Sequence, residues 1–473
     1  MRKKIIGGAI EISGGQGLSL FLSFVRNLFI ARMLGPEQFG IGMTFAVTIS
    51  FLEMAADLSF EKFIVQDKQG DDPRLEATTH AFMLMRGILI VLVLLVLANT
   101  IARAFGVPDV AWGFQVLALA PLCRGLTHLS VIRVQRQLRY RPQVATQLAG
   151  DVCGLLVGVA LAWWLGDYRA MLYAIIARHA VYAVSSHFLG EGRYRVGLEG
   201  EIARRAWRFG WPLMVTGLVV FVASQGDRVL VVRAFGLESL GIYGVATLAT
   251  QLPGMFVLKV VGYIGLPLLS AKQDDRTAFY DQCKMIGAVV TLFTVSISIL
   301  LFATLTPLIP VVFGSEFNVS RALVNWLIVG LALRIFRAWP TVVTLALADT
   351  KTSMFGNFLR TAGIAFALIA ILLGGDIVSV VRALVVGELL ATAFMFGRIR
   401  WKHDLRLRWA LIPGGVGAMA IVASFCLDMY AMPNDLVISL LGHGLSLTSA
   451  LLLLLVLSAD IRQLLRATLG RKT

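Results

Sequence analysis

Charge is scarce in this chain. Asp, Glu, Lys and Arg make up 15% of its 473 residues, and apolar side chains make up 58%. An ordinary soluble domain is excluded, because so few polar side chains cannot cover the surface of a water-facing fold. Cysteine is also sparse: Cys123, Cys153, Cys283 and Cys426 are far apart, and no two have metal-ligand or redox spacing. A disulfide framework and a thiolate metal site are therefore not expected. The six histidines are scattered as well, so no metal site is expected from them. The net charge of +15 is not accompanied by a basic stripe on a soluble module, which argues against a nucleic-acid partner.

The apolar residues fall in runs of membrane-spanning length. Windows of about twenty residues predict helices near 12–34, 39–58, 77–98, 110–131, 144–166 and 169–189. After a basic stretch from Glu191 to Arg208, further windows lie near 209–235, 239–269, 285–305, 321–347, 356–374, 377–397, 409–429 and 437–457. The fold class is thus all-α and polytopic, with about fourteen spans. Connectors such as "VIRVQRQLRYRPQ" and "GRIRWKHDLRLRW" hold most of the loop Lys and Arg, and they alternate with turns such as "GDYR" and "YAMPND". The positive-inside rule puts the basic connectors, and with an even span count both termini, in the cytoplasm. These basic loops read as topology signals against anionic headgroups of the bilayer. The apolar patch Ile5–Ile12 is short and Gly-rich for a cleaved signal, so the first spanning helix is expected to act as the membrane address.

An internal repeat is visible. "RNLFIARMLGPEQFGIG" from Arg26 matches "DRVLVVRAFGLESLGIY" from Asp227 at an offset of 201 residues, aligning Arg32 with Arg233, Gly35 with Gly236 and Gly40 with Gly241. An even number of spans separates the copies, so they run in the same direction. The expected architecture is two pseudo-symmetric six-helix lobes plus two extra helices: residues 1–190, a linker 191–208, residues 209–397, and 398–473.

Charged side chains inside the windows are costly unless they face a wet cavity or a partner. The basic ones exceed the acidic ones. Arg26, Arg124, Arg178, Arg228, Lys259, Arg334 and Arg337 are the candidates for binding an anionic headgroup, since planar guanidinium forks pair bidentately with phosphate. Arg178, Lys259, Arg334 and Arg337 are expected to act jointly. Arg86, Arg233 and Arg382 lie near window ends and are expected to reach headgroups. Glu53, Asp57, Asp151, Asp227 and Glu388 are candidates for ion coupling or gating. Glu53 and Asp57, four apart on one helix face, repel each other unless an H+ or Na+ sits between them; the alternative is an interfacial Asp57 and a Glu53 paired with a neighbouring Arg. Arg26 and Asp227, equivalent in the repeat, would pair across it as a gate, the alternative being a static pair of Asp227 with an Arg of a neighbouring helix in its own lobe. Gly150, Gly154 and Gly158 form a small-residue packing ridge, and Pro253-Gly254 is a candidate bend.

The segments "ARMLGPEQFGIG" and "EMAADLSFEKFIVQ", with "SQGDRVLVVRAFGLESLGIYGVATLATQLPG", "GLPLLSAKQDD" and "LIPVVFGSEF", resemble the polysaccharide transporter branch of the multidrug, oligosaccharidyl-lipid and polysaccharide flippase superfamily. The resemblance implies a bacterial inner-membrane flippase that turns undecaprenyl-pyrophosphate-linked repeat units outward by alternating access, for O-antigen, capsule or exopolysaccharide synthesis. It also implies partnership with other polysaccharide-assembly membrane proteins. A multidrug or peptidoglycan-precursor exporter of the same superfamily is the alternative. An integral-membrane polymerase or glycosyltransferase is disfavoured by the residues themselves: the longest outer connector, near 306–320, holds one acid, Glu316, and no His.

Overall fold

A computed structural model describes residues 2–405 and 408–431, together with 443–444 and 448–449. Every element among them is helical. In chain order the helices are α1 (Arg2–Ala55), α2 (Phe60–Gln66), α3 (Pro73–Ala104), α4 (Ala111–Leu117), α5 (Leu119–Gly125), α6 (Ser130–Arg133), α7 (Arg141–Leu165), α8 (Arg169–Leu189), α9 (Gly200–Val260), α10 (Leu266–Ser270), α11 (Arg276–Phe313), α12 (Arg321–Phe336), α13 (Ala338–Ala346), α14 (Thr350–Leu372), α15 (Ile377–His403) and α16 (Arg408–Cys426). Among the described residues eight helical stretches are long and apolar enough to cross a bilayer, α12 with α13 counting as one, and 108–125 with 130–137, bent by 55°, pass the same test as a pair. The expected helix near 437–457 lies almost wholly outside the described residues.

Helices α1 and α9 each contain two of the sequence windows. They are divided at Gly35 (φ 74°, ψ 175°) and Gly236 (φ 83°, ψ −177°), two repeat-related positions with the same left-handed backbone. Only a residue without Cβ adopts that conformation cheaply, which is why the sequence turns there. Two windows read as continuous are broken. The 110–131 segment bends between Gly125 and Ser130, and 321–347 is interrupted at Arg337 between α12 and α13. Pro121 and Pro340 lie near these breaks and remove backbone donors from the ladder. At Pro253-Gly254, the candidate bend, the helix is unbroken: α9 continues to Val260, and a π segment, Val261–Gly265, follows it.

The chain forms two compact units, Met1–Gly244 and Val245–Thr473. The division falls after Gly244, not within the 191–208 linker, because residues 200–244 lie along α1. Phe51 and Phe221 stack edge to face with centroids 5.0 Å apart, and a Cβ at Gly217 would approach the Met54 carbonyl to 2.5 Å. Nearer the turns the two repeats touch backbone to backbone. A Cβ at Gly40 would sit 2.0 Å from the Leu237 carbonyl oxygen, and one at Gly241 would sit 1.9 Å from that of Pro36. Gly40 with Gly241, and Pro36 with Leu237, are equivalent pairs at the 201-residue offset, so the crossing is symmetric.

The glycine ridge packs as its spacing predicts. Gly150 of α7 faces the Arg178 carbonyl of α8, and Gly158 faces Ala174 of α8 and Ile30 of α1. This close approach makes the room that Arg26 occupies beside Gly154.

Candidate functional site

In the second unit, α12, α14 and α15 bring three guanidiniums around one carboxylate. The backbones of α14 and α15 meet at Gly363 and Gly387, where a Cβ on Gly387 would lie 2.8 Å from the Gly363 Cα. That approach sets Arg360 against Glu388, at 2.7 Å from Nε to Oε1. Arg334, in the last turn of α12, reaches the same oxygen at 3.0 Å. Arg337, in the break after α12, lies 3.3 Å from Oε2. The Glu388 side chain is 4% exposed and that of Arg337 9%. Arg337 Nε and Glu388 Oε2 are buried without a hydrogen bond, and Arg337 Nη1 lies 3.4 Å from Asn357 Oδ1. Three guanidiniums thus converge on one carboxylate, with 26% of the Arg334 side chain and 18% of the Arg360 side chain left exposed.

The first unit holds its own polar chain along α1, α7 and α8. Arg178 Nε lies 2.7 Å from Asp151 Oδ1 as an ion pair, Ser19 donates to the other carboxylate oxygen, and Gln147 donates to Ser19 at 2.9 Å. Arg26, 8% exposed, lies beside this group and reaches Asn27 Oδ1 at 3.3 Å. Further along, Arg124 pairs with Glu61 and lies 4.4 Å over the Tyr182 ring, and Arg86 lies 3.6 Å from Asp57.

Of the sequence-predicted cations, then, Arg334 and Arg337 are brought together, and so are Arg26 and Arg178. Of the four cations expected to act jointly, Arg178 belongs to the first unit, and half-buried Lys259, next to the end of α9, belongs to the second with Arg334 and Arg337. Arg228 donates to Gln225. Arg382 lies 5.6 Å over the Trp326 ring, and Arg233 is exposed. The paired-carboxylate site of Glu53 and Asp57 is not formed. Helix α1 ends at Ala55, so Asp57 leaves the helical face and accepts from the Ser59 N–H at 2.8 Å, while Glu53 faces His179 at 3.4 Å. Arg26 does not pair with Asp227 either. The glycine ridge draws Arg26 towards α7, and Asp227 accepts from the Tyr243 hydroxyl at 2.5 Å across the Gly236 turn.

Sequence reasoning missed Arg360, Glu61 and His179. Arg360 lies inside the 356–374 window and was readable there as one more intramembrane cation. Glu61 sits between two windows, and His179 among scattered histidines carried no signal. The histidines are also less scattered than they read: His80 and His128 lie with Glu76 so that their ligand atoms are within 4.8 Å of one another. His80 Nε2 already accepts from the Leu129 N–H at 3.0 Å and His128 Nδ1 from the Ser130 N–H at 3.3 Å, so these nitrogens are not open to a metal.

Helices of this number and order, kinked at matched glycines and lined with buried arginines, define a polytopic membrane protein of the flippase and multidrug-transporter fold. The structure is similar to a lipid II flippase, MurJ, in an inward closed conformation, with a TM-score of 0.75, 14% identity, and coverage of 97% of this chain and 100% of that one. It is similar also to an inward-facing multidrug transporter of the MATE family, with a TM-score of 0.67, 15% identity, and coverage of 81% and 95%. The chain belongs to the polysaccharide biosynthesis protein family, whose sequence model matches residues 29–322. Among curated relatives, it is 23% identical over 72% of its length to the succinoglycan biosynthesis transport protein ExoT of Rhizobium meliloti (strain 1021). It is 24% identical over 67% of its length to the lipopolysaccharide biosynthesis protein WzxC of Escherichia coli (strain K12). The chain spans about two thirds of the length of these two relatives, 66% and 65%.

Proposed function

We propose that this protein turns a lipid-linked oligosaccharide, carried on a prenyl pyrophosphate, from the cytoplasmic to the periplasmic leaflet of a bacterial inner membrane, with both termini cytoplasmic. The observation that carries the reading is the triad Arg334, Arg337 and Arg360 on Glu388: guanidinium forks gathered from three places in the chain, two of them partly exposed, suit a pyrophosphate. The names of the two relatives, a succinoglycan transport protein and a lipopolysaccharide biosynthesis protein, support a sugar-polymer precursor as cargo. Alternating access needs no covalent chemistry from the chain: the prenyl tail stays in lipid while the charged head passes through a wet cavity. An exporter of cationic drugs would be served by the opposite charge balance.

The test is transport of a prenyl-pyrophosphate oligosaccharide in proteoliposomes. Arg334→Gln and Arg360→Gln should each lower the rate about tenfold at equal insertion, since a charge-assisted hydrogen bond contributes about 1.5–3 kcal/mol. Unchanged rates in both variants would remove the phosphate role. If a neutral-headgroup analogue moves as fast as the pyrophosphate, the substrate class is wrong.

The coupling ion is proposed to be H+, held between His179 and Glu53. His179 Nδ1 lies 2.8 Å from the Ile175 carbonyl oxygen, which only accepts, so Nδ1 carries a hydrogen. A neutral ring would then turn the Nε2 lone pair on the Glu53 carboxylate at 3.4 Å. One additional proton on the pair removes that repulsion.

A further inference from the structure

The segment joining α8 to α9 has no helix from Gly190 to Glu199, yet it is bonded to the first unit along its length. The Glu191 N–H donates to Ser130 Oγ at 2.9 Å, the Gly197 N–H to the Ala77 carbonyl at 3.2 Å, and the Glu199 N–H to Thr78 Oγ1 at 3.3 Å. At the centre stands His80, 1% exposed. Its Nδ1 lies 3.0 Å from the Arg195 carbonyl oxygen, and its Nε2 lies 3.0 Å from the Leu129 nitrogen. A carbonyl accepts and an amide N–H donates, so the ring is the neutral Nδ1–H tautomer. The imidazole thereby bridges the segment to the bend before α6. A second proton on His80 has no place: Nε2–H would face the Leu129 N–H donor against donor.

The neighbours of His80 add to this. The Tyr194 ring covers His80 with centroids 4.3 Å apart, and its hydroxyl is buried without a hydrogen bond. His128 stands edge-on to His80 at 5.3 Å, and His187 of α8 faces the Tyr194 ring at 5.0 Å. From α3, Glu76 takes Arg133 of α6 at 2.7 Å, so that the nearest carboxylate is already neutralised. Glu191, Arg193 and Arg195 line the open side of the adjoining cavity. Beyond the segment, Ile202 and Ala206 of α9 are sunk into a core with Phe60, Phe63, Leu75 and Ile132. The segment is thus anchored on both sides and can detach without unfolding either helix.

We propose that residues 190–199 are a strap latched to the first unit by the neutral imidazole of His80, and that the strap opens when the pH on the basic-connector side falls below the ordinary imidazole range. The sign follows from linkage. The latched state holds His80 neutral, whereas a released imidazole titrates near 6.5, so acid takes protons up preferentially on release and weakens the latch. Helix α3 has 32 residues and a length of about 48 Å, well beyond the hydrocarbon thickness of about 30 Å, so its first turns, with His80, reach the interface where such protons arrive. An opened strap uncovers the Glu76–Arg133 pair and frees the tether between α8 and α9. That the connector side is cytoplasmic rests on the proposed orientation; the latch itself does not.

The test uses the full chain, freed of its four cysteines, with one cysteine at Gly197. A Cβ there meets only Ala77 Cβ at 3.6 Å, so the probe fits the latched strap. A reference protein carries its cysteine at the exposed Asp274 instead. Inside-out and right-side-out vesicles are labelled with a membrane-impermeant maleimide between pH 7.5 and 5.5, and the rate at 197 is divided by the rate at 274. The expected ratio rises with acid, by up to about tenfold for one imidazole of ordinary titration. In His80→Phe the ratio should be high and flat. A flat ratio with native His80 overturns the latch, and so does a slope that survives His80→Phe. Should that variant fail to insert, the native protein decides alone. Labelling of both positions from right-side-out vesicles would refute the orientation while leaving the latch to be judged by its ratio.

Discussion

A residue's role in this protein follows from what its neighbours leave unsatisfied. Glu53 illustrates this: as a lone acid it reads as half of a carboxylate pair with Asp57, but the end of α1 separates the two, and His179 takes the vacant place. If this pair holds the coupling proton, Glu53→Gln and His179→Phe should each leave binding of the lipid-linked substrate intact. Both should abolish the acceleration of transport by an imposed pH gradient, measured in proteoliposomes with and without the gradient. A gradient response that persists in both variants would place coupling elsewhere. At the same scale, Asp349 outside the spans is held well below the usual carboxylate range. Burial opposes this, but hydrogen bonds from Lys402, Thr352 and His403 outweigh it. That network, which ties the end of α15 to the turn before α14, contributes at neutral pH and is lost only as pH falls below the ordinary Asp value of about 3.9. Asp349→Asn should accordingly lower the melting temperature at pH 7, and by a somewhat smaller amount at pH 3, where the folded carboxyl is still ionised.

At the scale of elements, the sequence announced the matched turns in α1 and α9 because an Arg and a Gly three apart, Arg32 with Gly35 and Arg233 with Gly236, recur at the same offset, and Gly35 and Gly236 both take positive φ. It announced the α7–α8 contact because three glycines lie four apart. The breaks near 126 and at Arg337 were hidden, since apolar periodicity reports burial and not continuity. The partners of Glu388 come from three helices, and separations of this kind leave no local pattern for a sequence to display. The glycine crossing yields a prediction. Gly40→Val or Gly241→Val would thrust side-chain carbon into a backbone carbonyl that cannot yield as a side chain does. Spin labels at Glu37 and Glu238 should then move apart by several Å and transport should fall, whereas Gly17→Ala, with nothing within 4 Å, should change neither. An unaltered label distance in both valine variants would show that the crossing does not set the spacing.

For the molecule as a whole, the sequence gives two independent lines to the same architecture: the alternation of basic connectors with short polar turns, and the internal repeat. The structure brings the repeat into contact with itself, and the fold is that of known flippases and exporters. Orientation is tested by single cysteines in a cysteine-free background. Those at Asp167, Glu238 and Ser315 should react with an impermeant thiol reagent from the periplasmic side, and those at Gln137, Gly200 and His403 should not. Reversed labelling would invert the proposed direction of flipping.

The symmetric crossing also bears on how the two halves age. Repeated sequences drift apart wherever a change in one copy is absorbed by its own surroundings, and most of this chain no longer resembles its other half. At the crossing each copy is the other's surroundings: Gly40 leans on the counterpart of Pro36, and Gly241 leans on Pro36 itself. A change in either is judged by both. Three residues on, the bond between the copies has already loosened into complementarity, with Met43 filling the space over its own counterpart, Gly244. The stretch from Arg26 to Gly42 is thus legible as a repeat because it lies where ancestry and packing coincide, and the same contact that closes the two segments on each other has kept their common text.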